Sequence, residues 1–96
     1  MTDYEVLLML DPELAEDRQG EIVTRVRERV ESDGGAWDGH QPWGRRRLAY
    51  EINKQIEGIY AVVDIQAEPA AVAELDRQLN LNESVLRTKL LRPEVH

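Results

Sequence analysis

Cysteine is absent from this sequence, which excludes disulfides, thiolate metal sites and a cysteine nucleophile and is compatible with a reducing cytosol. Histidine is almost absent: His40 and His96 stand at no regular spacing from carboxylates that would make a metal site, so His40 is expected at the surface. Ser32 and Ser84 have neither a histidine at a recognisable distance nor a nucleophile elbow. Gly34-Gly35 lacks the Gly-x-Gly-x-x-Gly spacing of a dinucleotide loop. These absences leave no assembled active site, no catalytic residue, no cofactor and no small-molecule substrate. Long apolar runs are missing as well; none approaches the roughly 20 residues that span a bilayer. Met1 to Leu10 carries Asp3 and Glu5 and no basic leader region, so neither a signal peptide nor a membrane partner is expected and the protein should be soluble and intracellular. No internal repeat or low-complexity segment interrupts the chain.

What the sequence holds is acid. A net charge of -7 argues against indiscriminate coating of nucleic acid, which needs a broadly basic surface. The distribution says more than the sum: residues 1–42 contain 11 acids and 4 bases, whereas residues 43–96 contain 8 of each. A local basic face can therefore coexist with an acidic body. Such a chain would make few phosphate contacts and would need a more basic protein beside it to bind RNA. The acids Glu13, Glu16 and Asp17 cluster where a first helix would begin, which suits the helix dipole and needs no catalytic explanation.

The 96 residues, 42% of them apolar, fit a single domain over 1–96 with one modest core. Tyr4 to Leu10 reads as a nearly continuous apolar strand of the kind found at a sheet centre. Asp11-Pro12 breaks it and offers a place where a helix could start, although Gly20 unsettles the first turns. Ile22, Val23, Val26 and Val30 then follow helical spacing, and Gly34-Gly35 supplies the stop. A long extended segment from Ala36 to Ile52 is interrupted near Pro42 and Gly44, where a bulge or bend is expected. After a polar turn at 53–58, Ile59 to Ile65 is β-branched and pairs back as a hairpin. Pro69 opens a second helix with the stripe Val72, Leu75 and Leu79, and Ser84 to Arg92 returns as a strand. The order βαββαβ predicts an α+β, ferredoxin-like split fold: a four-stranded antiparallel sheet, first and third strands central, both helices on one face.

Strand alternation then separates a covered face from an open one. Val6, Leu8, Leu10, Ile59, Ala61, Val63, Ile65, Leu86, Thr88 and Leu90 are expected to face the helices. Glu5, Leu7, Met9, Tyr60, Val62, Asp64, Arg87, Lys89 and Leu91 are expected to face outward. Apolar surface beside cations points to partner binding. Base stacking of the RNA-recognition-motif kind is not supported, because Glu57-Gly58-Ile59-Tyr60-Ala61-Val62-Val63 begins with an acid and lacks paired aromatics.

The stretch Trp43-Gly44-Arg45-Arg46-Arg47-Leu48-Ala49-Tyr50-Glu51-Ile52-Asn53-Lys54 carries the main functional signal. Three consecutive arginines enter a strand-like run in an acidic protein, and the arginine fork matches phosphate geometry. The plainer alternative is a solvated charge run.

Together with Tyr4-Glu5, Asp11-Pro12, Asn82-Glu83-Ser84-Val85-Leu86-Arg87 and the following Arg92, this stretch resembles bacterial small-subunit ribosomal protein six over essentially the full length. Glu57-Gly58-Ile59-Tyr60 and Glu74-Leu75-Asp76-Arg77-Gln78-Leu79 look like actinobacterial members. The resemblance implies a non-catalytic, cytoplasmic 30S component that pairs with small-subunit ribosomal protein eighteen and binds the central domain of 16S ribosomal RNA. It makes Arg45, Arg46, Arg47, Arg87, Lys89 and Arg92 the candidates for phosphate or partner contact, with Trp43, Tyr50 and Tyr60 as apolar anchors and Leu48 in the core. The family often has arginine at the second residue, whereas Thr2-Asp3 stand here, so the resemblance does not carry an RNA contact over to that end. The long acidic extension that the family can carry, modified by glutamate addition, is not expected after His96. A competing reading is a stand-alone ferredoxin-like interaction domain forming a homodimer; a small-molecule enzyme or sensor of the same fold finds no polar pocket to support it.

Overall fold

A computed structural model describes residues 1–52 and 54–91. Strand β1, Thr2–Leu10, buries every second residue from Val6 onward: Val6, Leu8 and Leu10 are almost wholly enclosed, while Leu7 and Met9 on the other side are half-buried. Helix α1, Glu16–Ser32, starts one turn later than Asp11-Pro12 allows. The Asp11 carboxylate accepts a hydrogen bond from the Glu13 backbone N–H at 2.9 Å, and Leu14 N–H donates to the Asp11 carbonyl, so these residues close a turn instead of capping a helix. The helix ends in a Schellman arrangement: Gly34, at φ 84°, donates to the Glu31 carbonyl and Gly35 to the Val30 carbonyl at 2.8 Å.

Strand β2, Ala36–Ile52, is continuous but shifts register between Trp37 and Gly39, between Pro42 and Gly44, and between Arg47 and Ile52. Pro42 donates no hydrogen bond and Gly44 sits at φ 78°, which accounts for the predicted bend. Strand β3, Gln55–Ala67, begins four residues earlier than its β-branched run, because Gln55 and Glu57 still pair with Ile52 and Arg47. The polar segment read as a turn is therefore mostly strand. Helix α2, Pro69–Leu81, buries Val72, Leu75 and Leu79, and strand β4 runs from Val85 to Leu91.

The antiparallel order is β2-β3-β1-β4, with β3 and β1 central. Val6, Leu8, Leu10, Val63 and Ile65 meet Ile22, Val26 and Val30 of α1 and Val72, Leu75 and Leu79 of α2 in one core. Truncating a fully enclosed side chain there, such as Leu8, costs about 2–5 kcal/mol. One assignment of face changes, and one outward residue is more buried than expected. A register shift between Met9 and Leu10 sets Val85 opposite Leu10, so Val85 and not Leu86 enters the core. Val62 lies on the open side as read from its alternation, yet it is only 6% exposed, with Leu7 and Gln41 as its register partners.

Candidate nucleic-acid interface

Register assigns the open face residue by residue. Three rows cross the sheet from β2 to β4: Gly44, Tyr60, Met9 and Arg87; Gln41, Val62, Leu7 and Lys89; Gly39, Asp64, Glu5 and Leu91. Residues directly opposite in an antiparallel ladder share a face. The open face is thus polarised, with carboxylates at one end, an apolar middle, and cations and aromatics at the other.

The basic end is completed by the β2–β3 hairpin, which runs on past the last β1 pairing at Ile59. Leu48 folds over Gly58, where a side chain at position 58 would meet it at 3.5 Å, and is buried to 8% exposure on the open side. It belongs to a small apolar group with Met9 and Tyr60 and not to the main core expected for it. Tyr50, two residues on, lies over Arg87 of β4 with the guanidinium carbon 5.6 Å from the ring centroid. A hollow of about 80 Å³ remains between Met9, Leu48, Tyr50, Tyr60 and Arg87. Cation–π contact of this kind is worth about 0.5–1 kcal/mol at an exposed site and holds both groups in place while leaving guanidinium N–H groups for another acceptor.

The three arginines do not act as a block. Strand alternation places Arg46, opposite Gly58, on the open side, and Arg45 and Arg47, opposite Ile59 and Glu57, on the helix side. Arg45 pairs with Glu57 at 3.1 Å and donates to the Pro12 carbonyl at 3.0 Å, tying the hairpin to the β1–α1 turn. Arg46 donates to the Trp43 carbonyl at 3.4 Å across the Gly44 bend, and Trp43 is 47% exposed. Lys89 is exposed on the open face, Tyr60 is half-buried beside Met9, and Tyr50 is 59% exposed. Arg92 lies outside the described residues. The structure therefore brings together Tyr50, Tyr60 and Arg87, places Arg46 and Lys89 on the same open face, and sets Arg45 and Arg47 on the other. Sequence reading sets Met9 on this face but misses Leu48, which joins it under Tyr50; the alternation of Arg46, Leu48 and Tyr50 was the available signal. No group of three or more metal-ligating side chains forms among the described residues.

A family model, ribosomal protein S6, matches residues 3–92. The chain belongs to the ribosomal protein S6 family. Small ribosomal subunit protein bS6 of Streptomyces coelicolor is 56% identical over 100% of both chains, and that of Nocardia farcinica is 59% identical over 96% of this chain and 97% of its own. The Mycobacterium leprae protein of the same name is 55% identical over the whole of both. The crystal structure of 30S ribosomal protein S6 from Thermotoga maritima superimposes with a TM-score of 0.88 at 27% identity, covering 96% of this chain and 87% of that one. The C-terminal domain of the MgtC protein from Mycobacterium tuberculosis shares the fold alone, at 14% identity, a TM-score of 0.70, and coverage of 98% and 89%. Fold by itself thus does not fix function, whereas S6 membership does make this a structural, non-enzymatic protein.

Proposed function

We propose that, within the structural small-subunit role carried by S6 membership, this chain binds the central domain of 16S ribosomal RNA as a heterodimer with small-subunit ribosomal protein eighteen. The observation that carries the reading is the basic and aromatic side of the open sheet face, where Arg87 lies under Tyr50, with Lys89 two residues on along β4 and Arg46 on the same face of β2. A handful of cations on a chain of net charge -7 supplies a small electrostatic contribution, so the remainder comes from a basic partner. The half-buried Leu7, Met9 and Tyr60 and the 40% exposed Leu91 give that partner an apolar seat beside the cations. Arginine and lysine supply the phosphate contacts, and exposed Tyr50 and Trp43 supply apolar anchors.

The test is a salt-titrated binding assay with 16S central-domain RNA, using the chain alone, the partner alone and both together. Tight binding only with both supports the heterodimer. No binding in any arm, with both proteins folded, rejects it and leaves the self-associating interaction domain.

A further inference from the structure

Four bases stand in the acidic first half of the chain, and three of them, Arg18, Arg25 and Arg29, fall on one stripe of α1 at spacings of seven and four. Arg25 and Arg29 face Gln78 of α2 and Asn82 just after its end across a groove of about 160 Å³. A second hollow of about 170 Å³ continues toward Arg18 and Ser84 and shares Arg25 and Asn82 with the first. Among the described residues Arg18 pairs with Glu21 and Arg29 with Asp33, whereas Arg25 has no ion-pair partner. That is notable on a helix where Glu21 lies four residues before it, the favoured arrangement for an intrahelical pair.

The walls of the first hollow include no carboxylate, and its side-chain donors come from two guanidinium groups and two amides, of which Gln78 also donates to Glu74; Glu21 lines the second hollow, where it pairs with Arg18. Its floor, Ile22, Val26, Leu75 and Leu79, is at most 7% exposed, so an apolar anchor from a peptide would gain almost nothing there. Arg25 and Arg29 are separated by about 6 Å along the helix axis, a step comparable to that between neighbouring phosphates on one strand. We propose that the α1–α2 groove is a second RNA backbone site, with Arg25 as its principal phosphate contact and Arg29, Gln78 and Asn82 as its walls. It lies on the helix layer, opposite the open sheet face, so the chain would sit between two RNA segments. The inference rests on the RNA-binding reading above.

The lack of cysteine makes the test clean. Single variants Gln78→Cys in the groove and Lys89→Cys on the open face carry a tethered hydroxyl-radical probe in the complex with partner and 16S central-domain RNA. Strand cleavage from both positions is the expected result. Cleavage from position 89 alone overturns the groove, and cleavage from neither overturns the RNA reading itself. Arg25→Gln should lower the slope of log affinity against log salt by about one, with Arg25→Lys restoring it. An unchanged slope overturns the phosphate contact. So does an NMR titration in which a polyglutamate peptide, and not the RNA, shifts the Arg25 side-chain resonances; that outcome assigns the groove to an acidic protein.

Discussion

Arg45, Arg46 and Arg47 are adjacent in sequence and divided in space, so neutralising each should do something different. Arg45 is half-exposed and its ion pair with Glu57 contributes little on its own. Its bond to the Pro12 carbonyl is partly buried. Arg45→Gln is expected to lower unfolding stability by about 1 kcal/mol, read from the urea midpoint, and to leave the salt slope of RNA binding intact. Arg46→Gln is expected to do the reverse. A second residue-scale consequence lies on α2, where hydrogen bonds from Arg77, at 2.6 and 2.9 Å, and from Gln78 lower the Glu74 carboxyl from 4.5 to about 2, and Arg77 is raised in turn. A lowered folded-state value means that the charged form is favoured by folding. The contribution is therefore complete above about pH 4.5 and drains away as the pH falls toward 2. An NMR titration should place the Glu74 midpoint near 2 in the native chain and return it toward 4.5 in Arg77→Gln, with salt narrowing the difference because the pair is exposed.

Elements were legible where periodicity and punctuation agreed. The stripes Ile22, Val26, Val30 and Val72, Leu75, Leu79, the Gly34-Gly35 stop and the Pro42/Gly44 bend are local signals, and each appears where the spacing predicts. The losses came from pairing between distant residues. The one-residue shift between Met9 and Leu10 that exchanges Val85 for Leu86 depends on how β4 lies on β1, which no local pattern records. Leu48 looked like core because it is apolar, and it is buried, but the curl of the hairpin buries it on the opposite side of the sheet. Asp11-Pro12 carried a helix-start signal that a turn satisfied first. In the candidate site, alternation grouped Met9, Tyr60, Arg87 and Lys89 on the open face, and the structure keeps them there; it was not carried into β2, where it splits the arginine triplet and adds Leu48 and Tyr50. The α1–β2 junction supplies the prediction at this scale. A Cβ at Gly35 would lie 2.6 Å from the Gln66 carbonyl and 2.9 Å from Val30 Cγ1. Gly35→Ala is therefore expected to cost about 1–3 kcal/mol, more than Gly34→Ala, whose cost is the left-handed backbone alone at about 1 kcal/mol. Urea midpoints at unchanged slope would check the ranking.

At the scale of the molecule, the acid at the start of α1 lies away from the proposed RNA contacts of the open sheet face. Glu13, Glu16, Asp17 and Glu21 are exposed around the start of α1 on the helix layer, whereas Arg87 and Lys89 stand on the open sheet face. A body of net charge -7 repels RNA at long range and attracts a basic protein, so on the proposed heterodimer reading the partner binds first and RNA second. Long-range attraction acts mainly on the association rate, because it raises the frequency of productive encounters and fades once short-range contacts form. Replacing Glu13, Glu16, Asp17 and Glu21 by glutamine, none of them on the open face, should slow association with the basic partner several-fold at low ionic strength and leave dissociation nearly unchanged. Raising the salt should erase the difference, since a Debye length of about 8 Å at 0.15 M screens charges on the far side of the chain. Stopped-flow association measured at two salt concentrations separates this from direct contact: if these carboxylates touch the partner, dissociation accelerates in the variant and the difference survives at high salt.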